Sequence, residues 1–473
     1  MPRIPNFTIS QTSKTLSIVI KLPFIRVSSA ETLVEGSNFT FSCPPYLLKL
    51  TFPGPLVDDD DAKGMYDPND DNGTLTLTLS KVTEGDFPDL DLTTKLLQPR
   101  ELPAKVQERN KAGPPLIEVV GSTTNEDVEE DSDDEDEDED DQHEVSVADW
   151  GKGLGDGVEI KVGAPRYGFN QSFSNSFSNL REQLQDMCEC KGMDVLTNSQ
   201  KRSLRDTAED EKFDPDHYCG DYFTNHSKFK KLNEEGEDPL YSCARDYKPW
   251  WDEKPKPPPP PSVEGLTEAL QDLTFDETER EALLSIPNKE HLISDHRPIF
   301  LSLIDILFGY CYDYRMTEGE SNVESPWTIS ILSPTLSWFE CWDGKNDSSK
   351  VVMAAAARRS LIYPYCRFLG LATMLLKDIL RIMGRGRRAV LKALLASRAV
   401  MEKSDTHYML NKFYLDDYVL WVQKIEEGLL GEFTAEAERG LGELEKDDWR
   451  ELKEAISLDI PELENMVEEQ SGL

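Results

Sequence analysis

Residues 1–98 alternate apolar and polar positions with a period of two, the pattern of β-strands that bury one face. The alternation recurs over 34–41, 48–52 and 74–79, and turn-forming residues separate these segments. It is clearest at four apolar positions: Leu16, Ile18, Ile20 and Leu22. Several short alternating strands in succession predict a β-sandwich.

From about residue 167 the apolar positions recur every three or four residues, which predicts helices. The segment that begins at Pro298 is apolar on almost every side and is therefore predicted to be a buried helix. Thr274, with Glu277 three residues later, predicts a helix start. Further helices are predicted over 351–362, 371–383, 389–401, 407–421 and 432–445. Short connections indicate an all-α domain of about a dozen helices.

Residues 99–165 lie between these two parts and have the composition of a linker. Between Glu126 and Asp141, 14 of the 16 residues are acidic, and such a run cannot bury enough apolar surface to offset the entropy of ordering. We interpret the run as a disordered, solubilising spacer; a weak contact for basic tails and a phosphoacceptor site at Ser132 are the alternatives. The predicted organisation is a β-sandwich at 1–98, a disordered acidic linker at 99–165, an all-helical domain at 166–430 and an acidic helical C-terminal tail at 431–473.

The charge of the chain is strongly negative and is unevenly distributed. The formal net charge is −39. Residues 251–350 contain 19 acidic and 8 basic residues, whereas residues 351–400 contain 10 basic residues and 1 acidic residue. A negative surface repels a phosphate backbone and complements a basic protein. We therefore expect a basic protein partner and no direct contact with nucleic acid.

The sequence has no feature of a membrane or secreted protein. No segment reaches the ~20 consecutive apolar residues of a membrane helix, and the first residues lack the core of a signal peptide. The eight cysteines are scattered and form no C-x-x-C pair, which favours reduced thiols. We expect a soluble, monomeric intracellular protein.

No group of residues is typical of a catalytic, cofactor or metal site. The chain lacks the phosphate-binding pattern G-x-x-x-x-G-K-[ST] and any recognisable nucleophile motif. Cys188, Cys190, His217 and Cys219 could in principle hold zinc, but their spacing matches no common class of zinc site. We expect no catalytic residue, no cofactor and no bound metal, so that the chain is a binding protein and not an enzyme.

A polar connector follows the buried helix and is the candidate binding site. Its residues Thr317–Trp327 offer three carboxylates, an amide, a hydroxyl and an aromatic ring: Glu318, Glu320, Glu324, Asn322, Ser325 and Trp327. Carboxylates and amides pair with Arg and Lys, and an aromatic residue adds apolar contact area. The alternative is that Glu318, Asn322 and Ser325 cap helix ends and Trp327 belongs to the core. For Trp327 the core position is the favoured interpretation.

A second candidate site, of a different class, lies in the basic segment 381–392. Its cationic residues could bind RNA, and the glycines among them would let phosphate approach the N-terminus of the next helix. These cationic residues are Arg381, Arg385, Arg387, Arg388 and Lys392. The favoured alternative is a helix break at the glycines, with the arginines paired to the many carboxylates of the domain.

Several stretches of the sequence resemble a known family. Three segments are similar to the helical specificity domain of the Shq-type assembly chaperones of box H/ACA ribonucleoproteins: TEGESNVESPW, LSPTLSWFECW and RRSLIYPYCR. The segments IKLPFIRVSSAETLVEGSNFTFSCPPYLLKLTFPG and FPDLDLTTKLLQP resemble a CS domain, a small-heat-shock-like β-sandwich. The resemblance covers residues 4–98 loosely and residues 165–425 more specifically.

The resemblance implies a multidomain β and α protein that binds the pseudouridine synthase dyskerin before H/ACA ribonucleoproteins, including those of telomerase, are assembled. Such a chaperone covers the RNA-binding surface of the enzyme as an RNA mimic, keeps it soluble and so supports ribosome biogenesis. The implied location is the nucleus (nucleoplasm) and the cytosol. The alternatives are an RNA-binding factor that uses the basic segment, or a general CS-domain co-chaperone.

Overall fold

The computed structural model describes residues 3–23, 30–57, 63–67, 73–98, 165–177, 187–214, 239–253 and 273–446, with a few positions between 217 and 224. The acidic run 126–141, with the phosphoacceptor candidate Ser132, lies outside the described residues, and so does Cys219. The predicted disorder of the linker and the predicted tail beyond residue 446 also lie outside them.

The N-terminal part has seven strands in two antiparallel sheets among its described residues. The strands are β1 (Asn6–Gln11), β2 (Thr15–Lys21), β3 (Glu31–Glu35), β4 (Asn38–Cys43), β5 (Tyr46–Thr51), β6 (Lys63–Asp67) and β7 (Thr74–Ser80), followed by the short helix α1 (Thr93–Leu96). One sheet has the order β1-β2-β7-β6 and the other the order β3-β4-β5. In the first, Ile18 of β2 lies opposite Leu77 of β7, so the apolar residues of both strands share one face. That face packs with Phe39 and Phe41 of β4 in one core, which confirms the predicted sandwich.

The C-terminal part contains twelve helices within its described residues, which confirms the all-α prediction. They are α2 (Asn198–Lys212), α3 (Pro239–Asp246), α4 (Glu277–Ser285), α5 (Arg297–Met316), α6 (Ser325–Ile331), α7 (Pro334–Ser337), α8 (Ser349–Ser360), α9 (Leu369–Gly384), α10 (Arg387–Glu402), α11 (Tyr408–Leu410), α12 (Asp416–Lys424) and α13 (Glu427–Lys446). A π-helical segment, Asn411–Leu415, joins α11 to α12. None of the described helices is both long and apolar enough to cross a membrane.

The central helix of this part is α5, which has almost no solvent-exposed side. Every residue from Ile299 to Asp313 is buried, and the helix packs against α6, α8 and α9. At Gly309 the backbone of α6 comes so close that an added Cβ would overlap the carbonyl oxygen of Ile329 and lie 3.1 Å from its carbonyl carbon. A glycine is therefore required where these two helices cross.

Two predicted boundaries differ from the structure. The cap of α4 is Asp276 and not Thr274: its carboxylate accepts from the backbone N–H of Glu279 at 2.8 Å, and the Glu279 carboxylate accepts from that of Asp276 at 2.8 Å. Thr274 and Asp276 each have a glutamate three residues later, the pattern of a capping box, but only Asp276 immediately precedes the helix. The predicted division between residues 430 and 431 falls inside α13, whose Phe433 and Leu441 belong to the same core as α5.

Candidate partner-binding surface

The residues that follow α5 form a tight turn before α6, and we call residues 317–327 the acidic connector. Glu318 and Gly319 have positive φ values of 52° and 83°, and the Gly319 N–H donates to the Tyr314 carbonyl at 2.8 Å. A Cβ at Gly319 would lie 2.8 Å from the Tyr247 hydroxyl. This left-handed turn ends α5 and directs the connector along the surface of the helical region.

Two polar residues of the acidic connector hold its shape from within. The Asn322 N–H donates to Ser325 Oγ at 2.9 Å, and the Glu324 N–H donates to Asn322 Oδ1 at 2.8 Å. Ser325 is fully buried beside Asp313. Burial raises the pKa of Asp313 to about 6, although its hydrogen bond with Ser325 acts in the opposite direction. These hydrogen bonds lie within the connector, and α6 has no side-chain cap, so the capping alternative is wrong for Asn322 and Ser325 at this helix. Ser325 is buried and has no surface to offer a partner.

The three glutamates of the acidic connector face solvent. Glu318, Glu320 and Glu324 are exposed, and no ion pair involves them within the part of the chain that the structure describes. The sequence has no Lys or Arg between Arg315 and Lys345, so the connector itself carries no cation. The charge of this surface is therefore available to a partner.

An apolar pair lies among these glutamates. Val323 is 90 % exposed and Trp327 is 39 % exposed. The core position favoured for Trp327 from the sequence is therefore wrong, because this third residue of α6 is exposed whereas Ile329, two residues later, is buried. The acidic connector therefore combines exposed carboxylates with an exposed aromatic ring.

The cations at the start of the basic segment are engaged within the domain. Arg381 pairs with Asp378 at 2.8 Å and with Asp252 at 3.0 Å. One guanidinium nitrogen of Arg385 donates to the carbonyls of Trp250 and Glu253 at 3.0 and 3.1 Å. These contacts fix the end of α9 against the segment 250–253.

The remaining cations of the basic segment pair with carboxylates too. Arg387 and Arg388, at the start of α10, pair with Asp89 of the sandwich at 3.0 and 3.3 Å. Lys392 pairs with Glu279 of α4 at 2.8 Å. Gly386, with a φ of 87°, is the cap that precedes α10. The favoured alternative of a helix break with paired arginines describes these residues, so the RNA-binding alternative has lost the free cations on which it depended.

A buried ion-pair network, which the sequence did not reveal, attaches α2 to the helical body. Arg205 pairs with Glu209 at 3.0 Å and with Glu340 at 2.7 Å, and Arg359 pairs with Glu209 and Glu189, each at 2.6 Å. Burial alone would raise the pKa of Glu189, but the Arg359 guanidinium more than offsets this and lowers it to about 2. The only sequence signal was a charged face on α2, which is indistinguishable from a solvated face.

The possible zinc ligands are the remaining candidates, and Cys219 among them lies outside the described residues. Cys188 and Cys190 are buried, and burial raises the pKa of both thiols. No metal-binding group of three His, Cys, Asp or Glu residues occurs among the residues that the structure describes. A cavity of about 240 Å³ lies beside Trp342 and Tyr418, but the Tyr418 hydroxyl already donates to the Ile299 carbonyl at 2.9 Å.

Comparison with known proteins identifies both parts of the chain. A family model described as "SHQ1-like, CS domain" matches residues 4–97, and one described as "SHQ1 protein, Shq1 domain" matches residues 266–450. "Protein SHQ1 homolog" of Xenopus tropicalis is 35 % identical over 429 residues, which cover 89 % of this chain and 64 % of the relative. "Protein SHQ1 homolog" of Mus musculus is 33 % identical over 482 residues, covering 99 % and 76 %.

A fungal relative has nearly the same extent as this chain. "Protein shq1" of Schizosaccharomyces pombe is 28 % identical over 454 residues, which cover 94 % of each protein. The chain spans just under two thirds of the length of the frog relative. With matches to both domain models and to relatives along most of its length, the chain belongs to the SHQ1 family of H/ACA ribonucleoprotein assembly factors.

Proposed function

We propose that this protein is an assembly chaperone that binds a dyskerin-type pseudouridine synthase before box H/ACA ribonucleoproteins are assembled. It covers the RNA-binding surface of the enzyme, keeps the free enzyme soluble in the nucleoplasm and the cytosol, and acts as a monomer without catalysis. The observation that carries this proposal is the acidic connector, whose three exposed glutamates have no ion-pair partner among the described residues.

Charge complementarity is the physical basis of the proposal. A protein surface that binds RNA is rich in Lys and Arg, because these residues replace the counterions of the phosphates. Exposed carboxylates at similar spacing attract the same cations and accelerate association at low ionic strength. The formal charge of −39 extends this attraction over the whole chain. The acidic connector would thus occupy the surface of the enzyme where RNA binds.

Apolar contact adds to this attraction. Exposed aromatic residues are common anchors of interfaces, because their burial in a partner removes a large apolar area from water. Trp327 is 39 % exposed and Val323 is 90 % exposed, and both lie among the glutamates. The same partner surface would therefore carry cations around an apolar depression.

Charge reversal of the acidic connector tests the proposal. Glu318→Lys, Glu320→Lys and Glu324→Lys together should weaken binding of the purified synthase by roughly 10- to 100-fold, since each exposed pair contributes ~0.5–1 kcal/mol. The matched control is the triple change Glu432→Lys, Glu438→Lys and Glu443→Lys, at exposed positions of α13. It alters the net charge by the same amount and should leave most of the affinity.

The measurement is calorimetric titration with the full-length chain, accompanied by circular dichroism to verify folding. Equal losses in both triple variants would mean that net charge alone governs binding. Unchanged affinity in the connector variant would remove the acidic connector from the interface. A ternary complex of chaperone, synthase and guide RNA, in which neither ligand displaces the other, would exclude the covering role.

A further inference from the structure

The turn that follows β7 brings two carboxylates of the sandwich to the helical region. Asp89 has a φ of 62°, the left-handed region that a non-glycine residue enters at a cost and keeps only where its surroundings hold it. Lys95 binds the Asp89 carboxylate at 2.8 Å from within the sandwich. Asp91 follows two residues later and is less than a quarter exposed. The backbone of this turn is thus arranged so that both carboxylates point to α10.

Two consecutive arginines of α10 receive these carboxylates. Arg388 forms a two-pronged pair with Asp91, with both N···O distances at 2.7 Å, and its second prong also reaches Asp89 at 3.3 Å. Arg387 donates to both oxygens of Asp89 at 3.1 and 3.0 Å. Two-pronged arginine–carboxylate pairs are among the strongest polar contacts in proteins, and partial burial protects them from screening.

The rest of Arg387 is bound by the helical region itself. Its Nε donates to Glu427 at 2.8 Å, and its third nitrogen donates to the carbonyls of Gln423 and Ile425 at 3.2 and 3.1 Å. The guanidinium is therefore fixed in place before the sandwich arrives. A fixed cation loses little conformational entropy when a carboxylate binds to it.

Apolar side chains also take part in this contact. The sandwich and the helical region have separate hydrophobic cores, but each core is touched by a residue of the other part. Leu92 belongs to the helical core and Leu284 packs against the sandwich core. Two polar contacts accompany them: Thr94 Oγ1 donates to the Leu283 carbonyl at 2.9 Å, and Asn288 donates to the Leu97 carbonyl at 2.6 Å.

We propose that Asp89, Asp91, Arg387 and Arg388 form a charge latch that decides whether the sandwich is docked on the helical region. With the latch closed, the two domains act as one rigid body and offer a partner a single continuous surface. With the latch broken, the sandwich is released while both domains remain folded, and the chain becomes two tethered modules. The latch does not depend on the proposed function, since it is a property of the isolated chain.

Rigid docking changes how the chain binds any partner that touches both domains. A preformed two-domain surface orders no linker on binding, whereas two tethered modules lose orientational freedom when both engage. The basic segment is thereby given an intramolecular role. With the sandwich docked, only 9 % and 20 % of the side chains of Arg387 and Arg388 are exposed.

A charge swap across the latch tests this proposal. Asp91→Arg places two cations face to face, and Arg388→Asp places an aspartate against Asp89 and Asp91; either change should open the latch. The double variant Asp91→Arg/Arg388→Asp restores opposite charges and should close it again. Glu84→Arg is the matched control, because Glu84 lies in the same turn but forms only an exposed pair with Lys14.

Zero-length carbodiimide cross-linking of the full-length chain provides the readout with native residues. Lys21 of the sandwich lies 2.5 Å from Glu277 of α4, so an amide between them reports docking. Lys392 and Glu279, 2.8 Å apart within the helical region, give an internal reference. In each single variant the Lys21–Glu277 product should fall on the order of tenfold relative to the reference, because a partly buried opposite pair becomes a like-charge pair.

The expected pattern is loss in both single variants, recovery to within about twofold in the double variant, and no change in Glu84→Arg. An undiminished Lys21–Glu277 product in both single variants would show that the apolar contacts hold the sandwich, and would overturn the latch. Failure of the double variant to recover would also overturn it. Should a single variant lose the reference product as well, the decision rests on Asp91→Asn, which removes the charge with little change of volume and should still lower docking selectively.

Discussion

A single methyl group added at Gly309 should destabilise the helical region, although alanine is the better helix former. In an unconstrained helix, Gly→Ala stabilises by ~1 kcal/mol, because alanine has less backbone freedom to lose on folding. At Gly309, however, the new Cβ would overlap the carbonyl oxygen of Ile329 and lie 3.1 Å from its carbonyl carbon. That neighbour is backbone of α6 and cannot turn aside as a side chain would. We therefore expect α6 to be displaced.

The magnitude follows from the balance of these two terms. Overfilling a packed core costs about 1–3 kcal/mol, and the contact with rigid backbone places Gly309→Ala near the upper end. After subtraction of the helix-forming gain, the net loss should be about 1–2 kcal/mol. Gly431→Ala in α13 is the matched control, because no atom lies within 4 Å of its added Cβ. That variant should gain ~1 kcal/mol.

Urea unfolding followed by tryptophan fluorescence measures both changes, since Trp338 and Trp342 are buried in the same region. The transition midpoint should fall for Gly309→Ala and rise for Gly431→Ala, with unchanged slopes. Because the acidic connector joins α5 to α6, Gly309→Ala should also weaken binding to the proposed synthase partner. A Gly309→Ala protein as stable as the wild type would refute the packing argument, since α6 would then accommodate the methyl group freely.

Two further predictions concern buried charges. Arg359→Met should destabilise the protein by about 3–5 kcal/mol in urea unfolding, because it removes the fully buried cation that Glu189 and Glu209 share. Arg439→Met, on the exposed surface of α13, should have little effect. Burial raises the pKa of Asp305 to about 7 from 3.8, although Ser333, Trp342 and Thr335 donate to it. The folded state therefore binds the Asp305 proton more tightly than the unfolded state does. Proton binding at Asp305 stabilises the fold fully below pH 4, and this stabilisation is lost as the pH rises to 7, by ~1.4 kcal/mol per pH unit at most. Asp305→Asn should flatten that dependence on pH. The free energy of unfolding is measured at pH 5 and at pH 7.5 for the wild type and for Asp305→Asn. An equal change between the two pH values in both proteins would contradict the argument.

Strands and helices with a strict repeat of apolar positions were predictable from the sequence, and the edge strands of the first sheet were not. The strict alternation of β2 and β7 reflects a sheet with one buried face, so the sequence carried the whole signal. The edge strands β1 and β6 were missed, because β1 buries only Phe7 and an edge strand has little need of alternation. Most long helices were found to within a few residues, since frayed ends and caps with the same pattern compete. The 15-residue helix α2 was not predicted, because the residues it buries are charged: Lys201, Arg205 and Glu209.

For the candidate site, local chemistry was predictable and tertiary placement was not. The excess of acidic residues around Glu318, Glu320 and Glu324 predicted that they could offer carboxylates to a partner, and all three are exposed. Whether Trp327 is buried depends on where α6 lies against α5, which no local pattern encodes. The partner of Arg387 is Asp89, almost 300 residues earlier, and sequence spacing gives no information on such a pair.

The near-complete burial of α5 has a consequence for the synthesis of the chain. Residues 297–316 emerge from the ribosome before α8, α9 and α13 exist to cover them, and Phe300 stacks on Phe433 only at the end. At 5–20 residues per second, the interval of about a hundred residues lasts roughly ten seconds. During that time a largely apolar helix, with Asp305 and Asp313 among its few charged residues, has not yet been covered by the helices that bury it. The chain should therefore need protection while it is being made, and its yield should respond to slower translation or lower temperature.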